Sequence, residues 1–160
     1  MGPETNDVRR GRRSAARSSS VEIRVAQHRD ATSVAALLGE LGYPCSPEQA
    51  AERLERIAAD PSTWVIVVEV GSELAGLGAL HVQNLVERDE PGCEVAGLVV
   101  SGRFRRRGIG ELLMQALADE ARRRGGNVMV LNTAHRRSDA HAFYEALGYE
   151  HTGRRYAKEL

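Results

Sequence analysis

The chain has 160 residues, of which 42% are hydrophobic and 28% charged, and its 22 basic residues equal its 22 acidic residues in number. This length and balance predict one soluble globular domain, since domains typically run to about 100–150 residues. No apolar run approaches the roughly 18 residues of a membrane span, and the zero net charge gives no general reason to expect nucleic acid or a membrane as a partner.

The cysteine content argues against a disulfide-stabilised protein and against a zinc protein. The only cysteines, Cys45 and Cys93, are far apart and lie outside any spacing typical of metal ligands. The sequence therefore predicts neither a disulfide framework nor a zinc site, and we expect no metal. A reducing cytoplasm is the location that this cysteine usage favours.

The first twenty residues differ in composition from the rest. Residues 1–20 contain five arginines, two acidic residues and almost no large apolar side chain. Such a segment cannot bury enough surface to offset the entropy of ordering it. We interpret residues 1–20 as a disordered Arg/Ser-rich tail and residues 21–160 as a single domain.

The first part of this domain reads as a strand followed by two helices. "VEIRVA", which begins at Val21, alternates as a strand does. Asp30 precedes a helical apolar stripe that ends at Gly42. Ser46 is a predicted N-cap, with Pro47 at the first helical position and Gln49 completing a capping box.

The remaining pattern predicts a mixed sheet. Residues 63–70 and 73–85 form a predicted hairpin around a Gly-Ser turn, residues 93–100 a third strand, and residues 109–124 a helix that two glycines end. Residues 127–133 read as a buried strand, 138–148 as a helix, and 149–160 as a closing hairpin around Gly153. The order β-α-α-β-β-β-α-β-α-β-β predicts an α+β fold with a mixed, mostly antiparallel sheet, a central parallel β-α-β unit and helices on both faces.

One corner of the sequence is suited to an anion. Arg105, Arg106 and Arg107 directly precede Gly108 and Gly110 at the start of a helix. A helix N-terminus has unpaired N–H groups and a partial positive charge, which attract phosphate. The corner lacks the lysine of a nucleoside-triphosphate loop and the third glycine of a dinucleotide fingerprint. It therefore predicts a phosphate or pyrophosphate ligand of another kind.

The segment "RRRGIG", residues 105–110, resembles the R/Q-x-x-G-x-G/A signature of the GNAT superfamily of N-acetyltransferases, and the strand "GLVV" precedes it as in that family. "AHAFYEALGY" resembles the family's last helix motif, and the element order is similar over residues 21–160. The resemblance implies acetyl-CoA as co-substrate. It further implies that the pyrophosphate binds the backbone of residues in the signature, namely Arg105, Arg106, Arg107, Gly108, Ile109, Gly110 and Glu111. Three residues of the preceding strand would pair with the pantetheine arm, namely Leu98, Val99 and Val100. Asn132 would line the same cleft.

The resemblance also implies catalytic roles. Tyr144 matches the tyrosine that protonates the departing thiolate, although by pattern alone it reads as a core aromatic. Glu94 resembles a position that often supplies the base, and His81 and Tyr43 are further candidates. The sequence departs from the family at Arg137 and Ala96, where an asparagine and a second acid are common.

We therefore expect an enzyme that transfers the acetyl group of acetyl-CoA directly to a primary amine. The alternative from another class is a non-catalytic module that binds CoA or a nucleotide. Nucleic-acid binding through the tail and "RFRRR" is disfavoured by the near-neutral body and the scarcity of aromatics. Glu87, Asp89 and Glu90 form an acidic loop that favours a cationic amine. The acceptor stays open among small amines, antibiotics, amino acids and proteins, and a homodimer is possible.

Overall fold

The computed structural model describes residues 20–134, 137–153 and 156–160, so the predicted tail lies almost wholly outside the described residues. Short 3-10 turns at His28–Asp30 and Gly102–Phe104 precede two of the helices. Within the described ranges, no helix is long and apolar enough to cross a membrane. The strands and helices, in chain order, are β1 Val21–Val25, α1 Ala31–Leu41, α2 Pro47–Ala58, β2 Thr63–Val70, β3 Glu73–Gln83, β4 Gly92–Val100, α3 Ile109–Arg123, β5 Met129–Leu131 and α4 Ser138–Ala146.

The five strands form one sheet in the order β1-β2-β3-β4-β5. The first four are antiparallel neighbours, and β4 pairs with β5 in parallel through the crossover helix α3. Helices α1 and α2 pack on one face, with a core that includes Leu37, Leu54 and Val67. Helix α3 covers the other face, and side chains of α4 join the core there. The predicted mixed fold with helices on both faces is therefore confirmed.

Helix α3 lies unusually close to the sheet because glycines of β3 face it. A Cβ atom added at Gly76 would lie 2.9 Å from the carbonyl oxygen of Val99 and 3.0 Å from Leu113. One added at Gly78 would lie 3.2 Å from Leu117. Contacts this short leave no room for a side chain. The Leu113 and Leu117 side chains of α3 thus pack directly on the glycine backbone of β3.

The predicted helix ends are largely confirmed. The predicted capping box is formed, since Ser46 Oγ accepts from the Gln49 N–H and Gln49 Oε1 accepts from the Ser46 N–H. Gly42 ends α1 with a φ of 101°. Asp30 does precede α1, but its carboxylate makes no cap to that helix. It instead binds the Arg24 guanidinium through two contacts of 2.7 and 2.9 Å, and Arg24 also contacts Glu69 at 2.9 Å. These ion pairs connect β1, β2 and the start of α1.

Two predictions about the C-terminal part of the fold are wrong. The closing hairpin is not formed among residues 149–153 and 156–160, which contain no strand, and residues 154–155 lie outside the described chain. Tyr149 packs against the core, but Tyr156 and Leu160 are exposed, so the segment beyond Tyr149 presents no apolar face that would hold it to the sheet. The strand predicted over residues 127–133 is also shorter, and Val130 is 49% exposed rather than buried. Strand β5 therefore lies at the edge of the described sheet, and the parallel unit is not central.

Replacing Asp30 by Asn should lower the free energy of unfolding at neutral pH by about 1.5–3 kcal/mol, the scale of a hydrogen bond to a charged group. The side-chain hydrogen bond from Arg24 holds the pKa of Asp30 below its ordinary value. The stabilisation by the carboxylate is therefore present above about pH 4 and is lost as the pH falls through the folded-state pKa. Urea unfolding of both chains across this pH range measures the difference.

Glu52→Gln, an exposed change on α2, is the matched control and should alter stability by less than about 0.5 kcal/mol. A wild-type advantage over Asp30→Asn that does not shrink in acid would contradict the assignment.

Candidate functional site

Strand β4 contains a bulge that opens the sheet. Its register with β3 shifts so that Ala79 pairs with Gly97 but Leu80 pairs with Val95, which leaves Ala96 as an extra, exposed residue. Pairing between β4 and β5 ends at Val95 and Leu131. From Ala96 onward, the outer edge of β4 has no partner strand in the described chain. A gap therefore begins between the two parallel strands.

Only some of the strand residues present main-chain groups to this gap. The Ser101 N–H donates to the Ala75 carbonyl at 2.9 Å, which sets the alternation along the antiparallel pair. By that alternation Val99 turns its main-chain groups toward β3, whereas Leu98 and Val100 turn theirs outward. The Val100 carbonyl indeed accepts from Arg105 Nε at 3.2 Å. Of the three predicted strand residues, Leu98 and Val100 line the open edge, while the Val99 side chain is buried against α1 and α2.

The corner that follows β4 gathers backbone N–H groups. Arg106 and Gly108 have φ values of 58° and 79°, and α3 begins at Ile109. The first helical bond runs from the Leu112 N–H to the Gly108 carbonyl, so the N–H groups of residues 109–111 precede the intrahelical pattern. A turn that contains left-handed residues can bring successive backbone N–H groups together in a concave cluster of donors. The backbone before α3 therefore offers unpaired N–H donors, and anion binding at this corner stays a prediction.

The arginines of this corner have different surroundings. Arg105 Nη2 lies 3.5 Å from Glu40 Oε2, and the same carboxylate accepts from the Gly102 N–H at 2.8 Å. The Arg107 guanidinium lies 5.5 Å from the ring centre of buried Phe104. Arg106 makes no hydrogen bond or ion pair within the described residues. Arg105 thus fastens the corner to α1, and the motif gave no signal for Glu40, whose role depends on the tertiary fold.

Helix α4 is placed against this corner through Gly110. A Cβ atom at Gly110 would lie 3.1 Å from the Phe143 ring and 3.7 Å from Val100. The end of β4, the first turn of α3 and the middle of α4 therefore meet at one glycine. This contact explains the second glycine of the signature by packing as well as by access to the backbone.

Tyr144 follows Phe143 and is partly buried. Its ring contacts those of Phe143 and Tyr149 edge to face, with centroid separations of 5.2 and 6.0 Å. Burial raises the pKa of the Tyr144 phenol, and the nearby Arg137 guanidinium offsets part of that rise. The phenol is therefore protonated at neutral pH and can donate a proton.

Glu94 and Asn132, which were predicted separately, lie together. Asn132 Nδ2 donates to Glu94 Oε1 at 2.8 Å, which bridges β4 to the segment after β5. His81 lies directly opposite Glu94 in the register of β3 and β4, so the two side chains share a face of the sheet. His81 Nδ1 is 3.1 Å from Thr63 Oγ1 on β2. Tyr43 is 67% exposed in the connection between α1 and α2.

A cavity of about 210 Å³ adjoins Glu94. Acidic Glu87 and basic Arg88 line it beside apolar Leu85 and Val130, whereas Asp89 and Glu90 do not. The cavity therefore carries both signs of charge next to a candidate base. In the described ranges, no three His, Cys, Asp or Glu side chains are grouped so that they could hold a metal ion.

The sequence matches the acetyltransferase (GNAT) family over residues 30–149. Because the match covers most of the chain, the protein belongs to the GNAT acetyltransferase family. This membership agrees with the observed fold and with the backbone corner at residues 105–111.

Three similar proteins illustrate the relationship. The aminoalkylphosphonate N-acetyltransferase of Salmonella typhimurium is 31% identical over 144 residues, which cover 87% of this chain and 91% of that protein. A transcriptional regulator of Bacillus halodurans superposes with a TM-score of 0.81 at 23% identity, over 88% of this chain and all of that one. The aminoglycoside N-acetyltransferase AAC(6')-Iy in complex with CoA gives 0.80 at 19% identity, over 91% and 97% of the chains. The two structures share the fold.

Replacing Gly110 by Val should destabilise the protein by about 1–3 kcal/mol, because the new side chain overlaps Phe143 and forces α4 away from α3. Gly39→Val in α1 is the matched control, since a Cβ atom there meets nothing within 4 Å. Denaturant unfolding of both variants measures the difference. Equal stabilities would show that α4 does not pack on Gly110.

Proposed function

We propose that this protein is an N-acetyltransferase that moves the acetyl group of acetyl-CoA directly to a primary amine. The observation that carries the proposal is the gap beside the bulge of β4, which has the donor cluster of α3 at one end and the Glu94–Asn132 pair at the other. Membership of the GNAT family supports the same activity.

The chain offers complementary groups to each part of the co-substrate. The N–H groups of residues 109–111 and of the preceding corner would bind the pyrophosphate, and Arg106 and Arg107 would add positive charge. The pantetheine arm carries amides that can pair with the outward main-chain groups of Leu98 and Val100, as an added strand would. The thioester would then lie near the bulge, between Glu94 and α4.

The chemistry follows from these positions. Glu94 takes a proton from the acceptor ammonium, and the free amine attacks the thioester carbonyl carbon to form the C–N bond. The C–S bond then breaks, the Tyr144 phenol protonates the leaving thiolate, and the nitrogen loses its second proton as the amide forms. That proton returns to the Tyr144 phenolate through water, so the phenol is restored. Hydrogen bonding from Asn132 orients the Glu94 carboxylate for the first step.

Tyr144→Phe tests the acid role. We expect kcat to fall by about 10²–10⁴-fold with little change in the KM for acetyl-CoA, because the phenol acts only as the thiolate departs. Tyr149→Phe, which removes a hydroxyl from the neighbouring ring, is the control and should keep most of the activity. Thiol release in steady state measures both, and full kcat in Tyr144→Phe would refute the role.

The same thiol-release assay distinguishes the proposed enzyme from a non-catalytic CoA-binding module. Acetyl-CoA that raises the unfolding temperature without thiol release across a panel of amines would favour the module. Release with any amine excludes it.

The acceptor that the cavity supports best is a small amine with an anionic group. Glu94 and Glu87 suit the ammonium end, and the guanidinium of Arg88 suits a phosphonate or carboxylate. The 31% identical relative is named for aminoalkylphosphonates, which combine those two groups. Both observations support an acceptor of that class over a large cationic antibiotic.

A panel of acceptors tests this choice. Aminoalkylphosphonates should give a higher kcat/KM than the matched amino alcohols, an aminoglycoside or a peptide with an N-terminal alanine. Arg88→Gln should reduce kcat/KM for the phosphonates by about 10- to 100-fold, as loss of a hydrogen bond to a charged group does, but not for the alcohols. Arg56→Gln on α2 is the control, and a uniform loss for all acceptors would contradict a phosphonate-binding role.

A further inference from the structure

Asp60, in the connection between α2 and β2, is the centre of a polar cluster that the proposed mechanism does not use. Its carboxylate accepts from Ser62 Oγ at 2.6 Å and from Thr63 Oγ1 at 2.9 Å, and also from the Ser62 N–H at 2.9 Å. These hydrogen bonds, led by that of the Ser62 side chain, lower the pKa of Asp60. The group is therefore a carboxylate at neutral pH.

The two hydroxyls connect this carboxylate to His81. His81 Nδ1 lies 3.1 Å from Thr63 Oγ1 and 3.4 Å from Ser62 Oγ. Each hydroxyl has a single hydrogen, which is directed to Asp60, so each oxygen can only accept at its other contact. Neutral His81 must then carry its hydrogen on Nδ1, and Nε2 keeps a lone pair.

The sheet register places His81 between β2 and Glu94. Thr63 on β2 pairs with His81, and His81 pairs with Glu94 on β4, so the three side chains form a row on one face. Nδ1 contacts the β2 side, and Nε2 is the ring nitrogen without a hydrogen-bond partner among the described residues. Because Asn132 occupies Glu94 Oε1, the other carboxylate oxygen is the one available to exchange a proton.

We propose that Asp60, Ser62 and Thr63 fix His81 as the Nδ1–H tautomer, so that its Nε2 receives the proton that Glu94 takes from the acceptor ammonium. This proposal rests on the acetyl transfer proposed above. The described residues hold no direct contact between His81 and Glu94, so the proton passes through an intervening water: the Glu94 O–H bond breaks, the His81 Nε2–H bond forms, and Glu94 returns to its basic state. Asp60 stabilises the resulting imidazolium through the hydroxyls and later the proton leaves to water. Asp60 is a positioning residue in this scheme.

The tautomer can be observed without any turnover. In the full chain labelled with ¹⁵N-histidine, His81 is identified among the five histidines by comparison with His81→Gln. Long-range ¹⁵N–¹H correlations should show Nδ1–H for His81 in the wild-type protein. In Asp60→Asn the amide can donate to one hydroxyl, which then donates to Nδ1, so the Nε2–H tautomer should gain population.

Kinetics separates positioning from general stability. Asp60→Asn and His81→Gln should each reduce kcat by about 10- to 100-fold with an unchanged KM for acetyl-CoA, and the double variant should lose little more. Thr32→Val, a hydroxyl removed from the exposed face of α1, is the control for folding and should leave both tautomer and kcat unchanged. Thr63→Ser, which restores a hydroxyl, should retain more activity than Thr63→Val.

The outcomes divide clearly. An Nε2–H tautomer in the wild-type protein, or full kcat in Asp60→Asn, would overturn the proposal while leaving acetyl transfer intact. Failure of the wild-type chain to release thiol with any amine would overturn the function itself, whatever tautomer His81 shows. The predicted tautomer together with the non-additive losses in kcat would support the relay.

Discussion

The single extra residue at Ala96 is the constraint on which the site depends. Before it, β4 pairs with β3 and with β5, and its side chains alternate regularly between the two faces. After it, the strand keeps β3 but loses β5, and main-chain groups that would otherwise bind a neighbouring strand face a gap. The same residue separates Glu94 from Leu98. The Glu94–Asn132 pair and the open edge of β4 are therefore adjacent, but they lie on opposite sides of the bulge.

In the corner between β4 and α3, both arginine side chains and backbone N–H groups could attract an anion. The corner at residues 102–108 carries several arginines, yet Arg105 is engaged by Glu40 and Arg103 by Glu73. Phe104 anchors the corner in the core under the guanidinium of Arg107. The donors best placed for an anion are the N–H groups of the first turn of α3, whose direction is fixed by the helix. Side-chain charge then contributes attraction, while the backbone determines geometry.

Local chemistry explains which features the sequence predicted well. The cap at Ser46, the turn at Gly71 and the glycines that begin and end α3 depend on residues within a few positions, and each was predicted correctly. The helix predicted over residues 109–124 was also nearly correct, since α3 runs from Ile109 to Arg123. The anion corner was predictable for the same reason, because its donors belong to one short segment.

The errors and omissions share a different cause. The bulge at Ala96 is visible only in the pairing between strands. The sequence analysis noted Ala96 only as a position where the family commonly has a second acid. The alternation in residues 149–160 resembles a hairpin, but a strand also needs a surface to cover, and this segment has little apolar area to bury. Glu40 binds groups 62 and 65 positions away along the chain, and the contact between Thr63 and His81 joins residues 18 positions apart, so no spacing rule identifies either.

The glycines beneath α3 are a further case in which residues distant along the chain determine a feature of the candidate site. Gly76 and Gly78 contribute no side chain, so the space between β3 and α3 is filled by α3 side chains such as Leu113 and Leu117. The distance of α3 from the sheet, and with it the position of the N–H groups of residues 109–111, depends on this one layer of side chains. At other core positions, neighbouring side chains can adjust to a change of volume. A single methyl group at position 76 would instead shift α3 and the N–H groups at its start. The placement of the N–H groups of residues 109–111 is thus coupled to a glycine on the buried side of the helix.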